Sequence, residues 1–169
     1  MVFHLVKNAT WHDGTPFTSK DVKYVLDSAK KTSPKAFVST KVASVETPND
    51  YTVILNLNTP VSVLSIGTNF NVRPEHIWKD VADPTKYDDI KATMGTGPYE
   101  FVKYDKDAGI VLYKAYDKYY GGRPVVDEIE VRLFKNQDTM IMALEKGEID
   151  TVFIWANGIS YFYVPKLLQ

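Results

Sequence analysis

Trp11, His12 and Asp13 stand side by side in the stretch WHDGTPFTSKDV, residues 11–22, and Asp21 follows eight residues later. An imidazole next to a carboxylate can do general acid–base work, the carboxylate orienting the ring while the ring moves a proton. His12 with Asp13 or Asp21 would therefore make a hydrolase. Two things count against it. Adjacent residues of a tight turn usually point in different directions, and no serine or cysteine nucleophile carries a motif of its own. Catalytic residues are therefore expected to be none.

Metal and cofactor chemistry find no better footing. His4, His12 and His76 have neither the H-x-x-x-H nor the H-x-H spacing that sets two imidazoles toward one ion. The absence of cysteine rules out disulfides and thiolate ligands. Gly95-Thr96-Gly97-Pro98-Tyr99 lacks the lysine of a phosphate loop and precedes a strand rather than a helix. Gly95 and Gly97 are expected instead to permit positive φ or the close approach of another segment, with Pro98 setting the entry to the strand at Tyr99. No cofactor and no metal are expected.

The elements that must position these residues follow from pattern. Val2 to Val6 reads as a short strand, and His12-Asp13-Gly14-Thr15-Pro16 as a turn whose Asp-Gly step tolerates positive φ. Thr18-Ser19-Lys20-Asp21 has the capping-box form, so a helix should begin there. Val22, Val25, Leu26 and Ala29 form its apolar stripe, Lys30 and Lys31 suit its C-terminal end, and Ser33-Pro34 stops it. Trp11 and Phe17 should be buried. Val42 to Val45 and Tyr51 to Leu57 read as a hairpin turning at Thr47-Pro48-Asn49-Asp50. Val61 to Ile66 reads as a short helical turn, and Lys79 to Met94 as mostly loop. Tyr99 to Tyr104 and Ile110 to Lys114 form a second hairpin around Lys106 to Gly109. Ile129, Val131 and Leu133 alternate with charged residues, predicting a strand with one wet face. Asn136 should cap a helix carrying Met140, Ile141 and Leu144 that ends at Gly147, and Glu148 to Phe153 should return as a strand to complete a β-α-β unit.

At 169 residues with a net charge of −1, the chain supports one ordinary core, and no global field favours nucleic acid or an anionic surface. No nucleic-acid partner is expected. The sequence has no apolar run long enough to span a membrane and no leader of the usual form.

Taken together, these pieces resemble the extracellular solute-binding proteins of ABC importers, specifically the family of dipeptide-, oligopeptide- and nickel-binding receptors. The strings that carry the resemblance are Phe3-His4-Leu5; Trp11 to Thr18 with Asp21-Val22; Tyr51-Thr52-Val53; Pro74-Glu75-His76-Ile77-Trp78; Gly95 to Tyr99; Tyr119-Tyr120-Gly121-Gly122-Arg123-Pro124; and Ala143 to Asp150. Val6 departs from the arginine usual at that point in the family, so any ion pair made by that arginine is missing.

The resemblance implies a mixed α/β (α+β) fold: part of a periplasmic-binding-protein type II lobe, a mixed sheet with hairpins and flanking helices. It implies that residues 1–150 are part of the first lobe and that 151–169 begin the crossover toward a second. The partners it implies are a peptide or another small solute and an ABC permease, outside the membrane or in the periplasm, with the longer parent membrane-associated and its leader absent from this chain. Asn69, Phe70, Asn71 and Arg73 offer an aromatic ring, amides and a guanidinium in one stretch and are the candidate ligand contacts. Trp11, Asp13, Gly14, Thr18, Asp21, Gly95, Gly97, Pro98 and Tyr99 are expected to be structural. The apolar residues from Phe153 onward are expected to support self-association. A peptide-holding module working without a transporter is a further alternative.

Overall fold

The computed structural model describes residues 1–33, 35–62, 71–153, 160 and 163. They fall into two compact units. The first comprises residues 1–102 and 113–129, and the second residues 103–112 with the chain from 130 onward.

In the first unit, β1 (Val2–His4), β2 (Val42–Asn49) and β3 (Thr52–Leu57) form an antiparallel sheet in the order β1-β3-β2. Helix α1 (Ser19–Thr32) packs against it, followed by the short α2 (Phe37–Lys41). Val22 and Leu26 from the helix stripe meet Val42, Val45, Val53 and Leu55, all buried. Alternation on the strands and 3.6-residue spacing on the helix thus deliver two apolar faces to one core.

The first hairpin differs from expectation at its turn. β2 continues through Thr47 and Pro48 to Asn49, with a register irregularity between Glu46 and Asn49. Pro48 has no N–H for the ladder, and an irregular step is where a strand can carry it. The reversal lies instead at Asp50 and Tyr51, where Asn49 Oδ1 accepts from Tyr51 N at 3.0 Å. β1 stops at His4 rather than reaching Val6. Residues 63–70, and with them most of the expected helical turn at Val61 to Ile66, lie outside the described residues. Lys79 to Met94 is mostly loop as expected, with a single 3-10 turn at Ile90–Thr93. The single-turn helix α3 (Glu75–Trp78) precedes it.

A second sheet has the order β4-β5-β6, from Tyr99–Asp105, Ile110–Ala115 and Glu128–Arg132. Gly109, with φ +67, makes the turn between β4 and β5. Every residue of β6 is exposed, so the expected single wet face is a strand wet on both faces. Alternation encodes a face for covering, and nothing among the described residues covers it. In the second unit, α4 (Gln137–Glu145) begins at Asn136, whose side chain accepts from Thr139 N, and Gly147 ends it at φ +69. Met140 and Ile141 pack there with Tyr163. Glu148 to Phe153 is not a strand, and the β-α-β unit is not closed among the described residues. Phe153, at the end of that segment, stands 78% exposed.

Candidate functional site

The Trp11–Pro16 turn is closed by its own backbone. Trp11 N donates to Thr15 O at 2.8 Å, Gly14 N to Trp11 O at 2.8 Å, and Phe17 N to Ala9 O at 3.0 Å. Gly14 takes φ +86, where a side chain would be strained, which explains the Asp-Gly step. Trp11 is 2% exposed and meets Phe17 edge to face at 5.7 Å. Phe17 is half-buried against the first core. Both aromatics therefore anchor the turn, Trp11 the more completely.

His12 and Asp13 serve different neighbours. His12 N donates to Gly95 O at 3.0 Å, and its Nε2 lies 3.0 Å from Gly97 O. A carbonyl can only accept, so Nε2 carries the proton. A Cβ on Gly95 would come 3.3 Å from His12 Cε1, which makes Gly95 a close-approach glycine. Gly97 has neither positive φ nor a neighbour that a Cβ would meet, contrary to expectation; its contribution is its carbonyl. Asp13 accepts from Thr15 N at 2.9 Å and from His76 Nε2 at 2.8 Å. Burial raises the Asp13 carboxyl, but the hydrogen bonds from Thr15 and His76 outweigh it and hold the group below its ordinary value. Among the described residues no hydrogen bond joins His12 to Asp13 or Asp21. The base and its orienting carboxylate are not assembled.

Asp21 does more than cap. Its Oδ2 accepts from Thr18 N at 2.8 Å, completing the box in which Thr18 accepts from the first turn. Its Oδ1 accepts from Glu75 N at 2.9 Å, 54 residues away. At 4% exposure this carboxylate has both oxygens committed. Ser19 is buried beside it and donates to Asn49 O at 2.8 Å. Helix α1 is thereby tied to the hairpin and to the start of α3.

Residues not singled out in the sequence complete the arrangement. The Tyr116 hydroxyl donates to Trp11 O at 2.9 Å and lies 2.7 Å from Thr10 Oγ1, while Tyr116 N donates to Pro98 O at 2.8 Å. Tyr116 stands edge-on to His12 at 5.0 Å. Tyr24 Oη donates to Trp78 O at 2.7 Å. No short motif announces Tyr116, because Trp11 and Thr10 lie 105 and 106 positions back. Arg123 was legible within one of the quoted strings: it bonds Asp117 at 2.7 Å and Asp127, closing the loop between β5 and β6. Tyr99 Oη helps close the same loop by donating to Val126 O at 3.1 Å.

Two open grooves flank Asp13. One, of about 440 Å³, is lined by His12, Asp13, Glu100, Lys114, Tyr116 and Arg123 among others. The other, of about 370 Å³, is lined by Asp13, His76, Asp80, Tyr87, Lys91 and Met94 among others. Among the described residues no group of three or more histidines and carboxylates is placed to hold a metal. Of the candidate ligand contacts, Asn69 and Phe70 lie outside the described residues. Asn71 is exposed, and Arg73 is exposed with its guanidinium 4.4 Å from the centre of the Trp78 ring. Stacking on an indole holds the guanidinium plane while leaving its N–H edge open to solvent.

Comparison with known proteins places this geometry. Residues 1–169 match the family described as bacterial extracellular solute-binding proteins, family 5, middle region. A Brucella ovis protein named as an ABC transporter peptide-binding protein is 36% identical over 162 residues, covering 92% of this chain and 31% of its own length. The crystal structure of the ABC transporter substrate-binding protein CtaP from Listeria monocytogenes superposes with TM-score 0.75 at 30% identity, covering 88% of this chain and 32% of that one. AgaA from A. tumefaciens R10, solved with agropinic acid, superposes with TM-score 0.73 at 31% identity, covering 88% and 30%. The chain thus spans about a third of the length of these relatives. It belongs to the family 5 extracellular solute-binding proteins, and its fold is that of part of a periplasmic binding protein of type II.

Proposed function

We infer, from membership of the family 5 extracellular solute-binding proteins, that residues 1–150 are part of the first lobe of a receptor that captures a peptide or a related small solute outside the membrane. The protein then hands the solute to the permease of an ABC importer. Residues 151–169 lead toward a second lobe, and the longer protein is held at the membrane. The observation that carries this is the family match along all 169 residues. The separate commitments of His12 and Asp13 support a binding role in which no bond is made or broken. Capture requires ligand contacts that favour a closed arrangement over an open one.

Asn69, Phe70, Asn71 and Arg73 are the proposed cleft contacts. The stacked guanidinium of Arg73 would face an anionic group of the solute. Native mass spectrometry of the full-length protein is expected to release one peptide or small solute, chemically unchanged after prolonged incubation. Hydrolysis products in its place would overturn the reading. Calorimetric titration with that solute is expected to weaken on Phe70→Ala and Arg73→Ala, and unchanged affinity would remove those residues from the site.

The apolar C-terminal residues are proposed as a self-association surface. Loss of association on truncation after Thr151 supports that assignment, and unchanged association contradicts it.

A further inference from the structure

Asp13-Gly14 is the one Asp-Gly step of the sequence. Glycine has no side chain to shield its own nitrogen, so an aspartate placed before it is prone to close on itself. The Gly14 nitrogen attacks the Asp13 Cγ, a C–N bond forms, and the acid's hydroxyl leaves as water with the nitrogen's proton. The cyclic imide then takes up water. Cleavage of the new C–N bond restores aspartate, whereas cleavage of the original peptide bond leaves the chain running through Cγ as isoaspartate, one methylene longer.

Ring closure needs a neutral carboxyl, a side chain free to swing, and a nitrogen that faces it. The fold opposes each of these. Asp13 Oδ1 accepts from Thr15 N at 2.9 Å and Oδ2 from His76 Nε2 at 2.8 Å, so both oxygens are held. Burial pushes the carboxyl up, but the bonds from Thr15 and His76 prevail and keep it below its ordinary value. An ionised carboxylate has no hydroxyl to lose as water. Gly14 N donates to Trp11 O at 2.8 Å, and the same carbonyl accepts from the Tyr116 hydroxyl at 2.9 Å. Neither His12 nor Asp13 has positive φ, so a turn closed by this bond is of type I, with Asp13 in its third position at ψ of about 0°. At that ψ the Gly14 nitrogen stands well round from Cβ, and the turn must open before attack.

The His76 restraint is supplied from elsewhere in the fold. His76 lies 63 residues on, in α3, which is fastened to α1 by Glu75 N bonding Asp21 Oδ1 at 2.9 Å and Tyr24 Oη bonding Trp78 O at 2.7 Å. The imidazole is therefore delivered to Asp13 by an element that does not rely on the turn for its own place. We propose that Asp13 is a latent isoaspartate site and that His76 keeps it closed. Without His76 one carboxylate oxygen is released and the side chain can rotate toward Gly14 N. An added methylene here would throw the Trp11 N–Thr15 O and His12 N–Gly95 O bonds out of register, so the modification would undo the turn. The inference does not depend on the solute-binding reading.

The test is prolonged incubation of the full-length protein at mildly acidic pH, followed by tryptic mapping. Cleavage after Lys7 and Lys20 releases residues 8–20, whose single aspartate is Asp13. Isoaspartate there shifts the peptide's elution without changing its mass, and electron-transfer fragmentation locates it. A synthetic peptide of residues 8–20 supplies the unrestrained rate, which is expected to be the fastest. His76→Ala should isomerise about tenfold faster than the unaltered protein, an effect the size of one hydrogen bond to a charged group. His76→Gln, whose amide can still donate to Asp13, should return toward the unaltered rate. Val45→Ala, which loosens the core and leaves the bonds of the turn in place, should not change it. Circular dichroism matching the unaltered protein separates a lost restraint from a lost fold. An unaltered protein that isomerises as fast as the peptide, a His76→Ala rate equal to the unaltered one, no recovery in His76→Gln, or equal acceleration by Val45→Ala would each overturn the proposal.

Discussion

Two helices begin with the same local chemistry and differ in what that chemistry is tied to. At α1 the cap is Thr18 with Asp21, and Asp21 also bonds Glu75 N across 54 residues. At α4 the cap is Asn136, whose described bonds reach no further than Thr139. Around α1 the turn residues are bonded to Gly95, Gly97, Tyr116 and His76. Just before α4, β6 is exposed along its length. The lesson is that a capping motif marks where a helix starts, while its weight in stability depends on how many distant donors share the capping atom.

Variants can break or sharpen that contrast. The largest effect is expected from Trp11→Ala, which empties a fully buried site beneath the turn and should cost about 3–5 kcal/mol in urea denaturation. Asp21→Ala should follow at about 2–3 kcal/mol, because it removes the cap and also strands the Glu75 amide. Asn136→Ala should cost only about 1 kcal/mol, the ordinary value of a cap. If the two cap variants cost the same, the distant bond adds nothing and the contrast fails.

The smallest effect concerns pH. The Asp13 carboxyl is held below its ordinary value of 3.8 in the folded chain. A depressed carboxyl contributes stability that is fully present above the unfolded value and is lost as pH falls through the lower folded value. With a third of the Asp13 side chain exposed, the contribution is a few tenths of a kcal/mol. Asp13→Asn should therefore slightly lower stability at neutral pH and flatten its decline below about pH 4. An acid limb as steep in the variant as in the unaltered chain would show that Asp13 is not a source of it.

Much of the first unit was legible because its signals are local. The capping box, the Asp-Gly turn, the helix stripe and the hairpin strands each depend on residues within a few positions of one another. What could not be read depends on distance along the chain or on cover. Tyr116 reaching Trp11 and His76 reaching Asp13 span 105 and 63 positions, and no spacing rule connects them. The β6 alternation correctly gave a strand, but alternation cannot say whether anything arrives to cover the apolar side. The expected strand after Gly147 is not formed among the described residues, and alternation in the sequence cannot say whether a segment finds a partner. Pro48 was read as a turn residue, whereas a register irregularity lets the strand run through it.

The central proposal is that Trp11 to Asp21 is scaffolding for a lobe that binds without reacting. It is tested most directly in the full-length protein carrying His12→Ala, by following thermal stability, solute affinity and solute integrity in one preparation. The account predicts a lower melting temperature, an affinity within about twofold of the unaltered protein after correction for folded fraction, and solute recovered intact from both. Solute converted by the unaltered protein and spared by His12→Ala would contradict it.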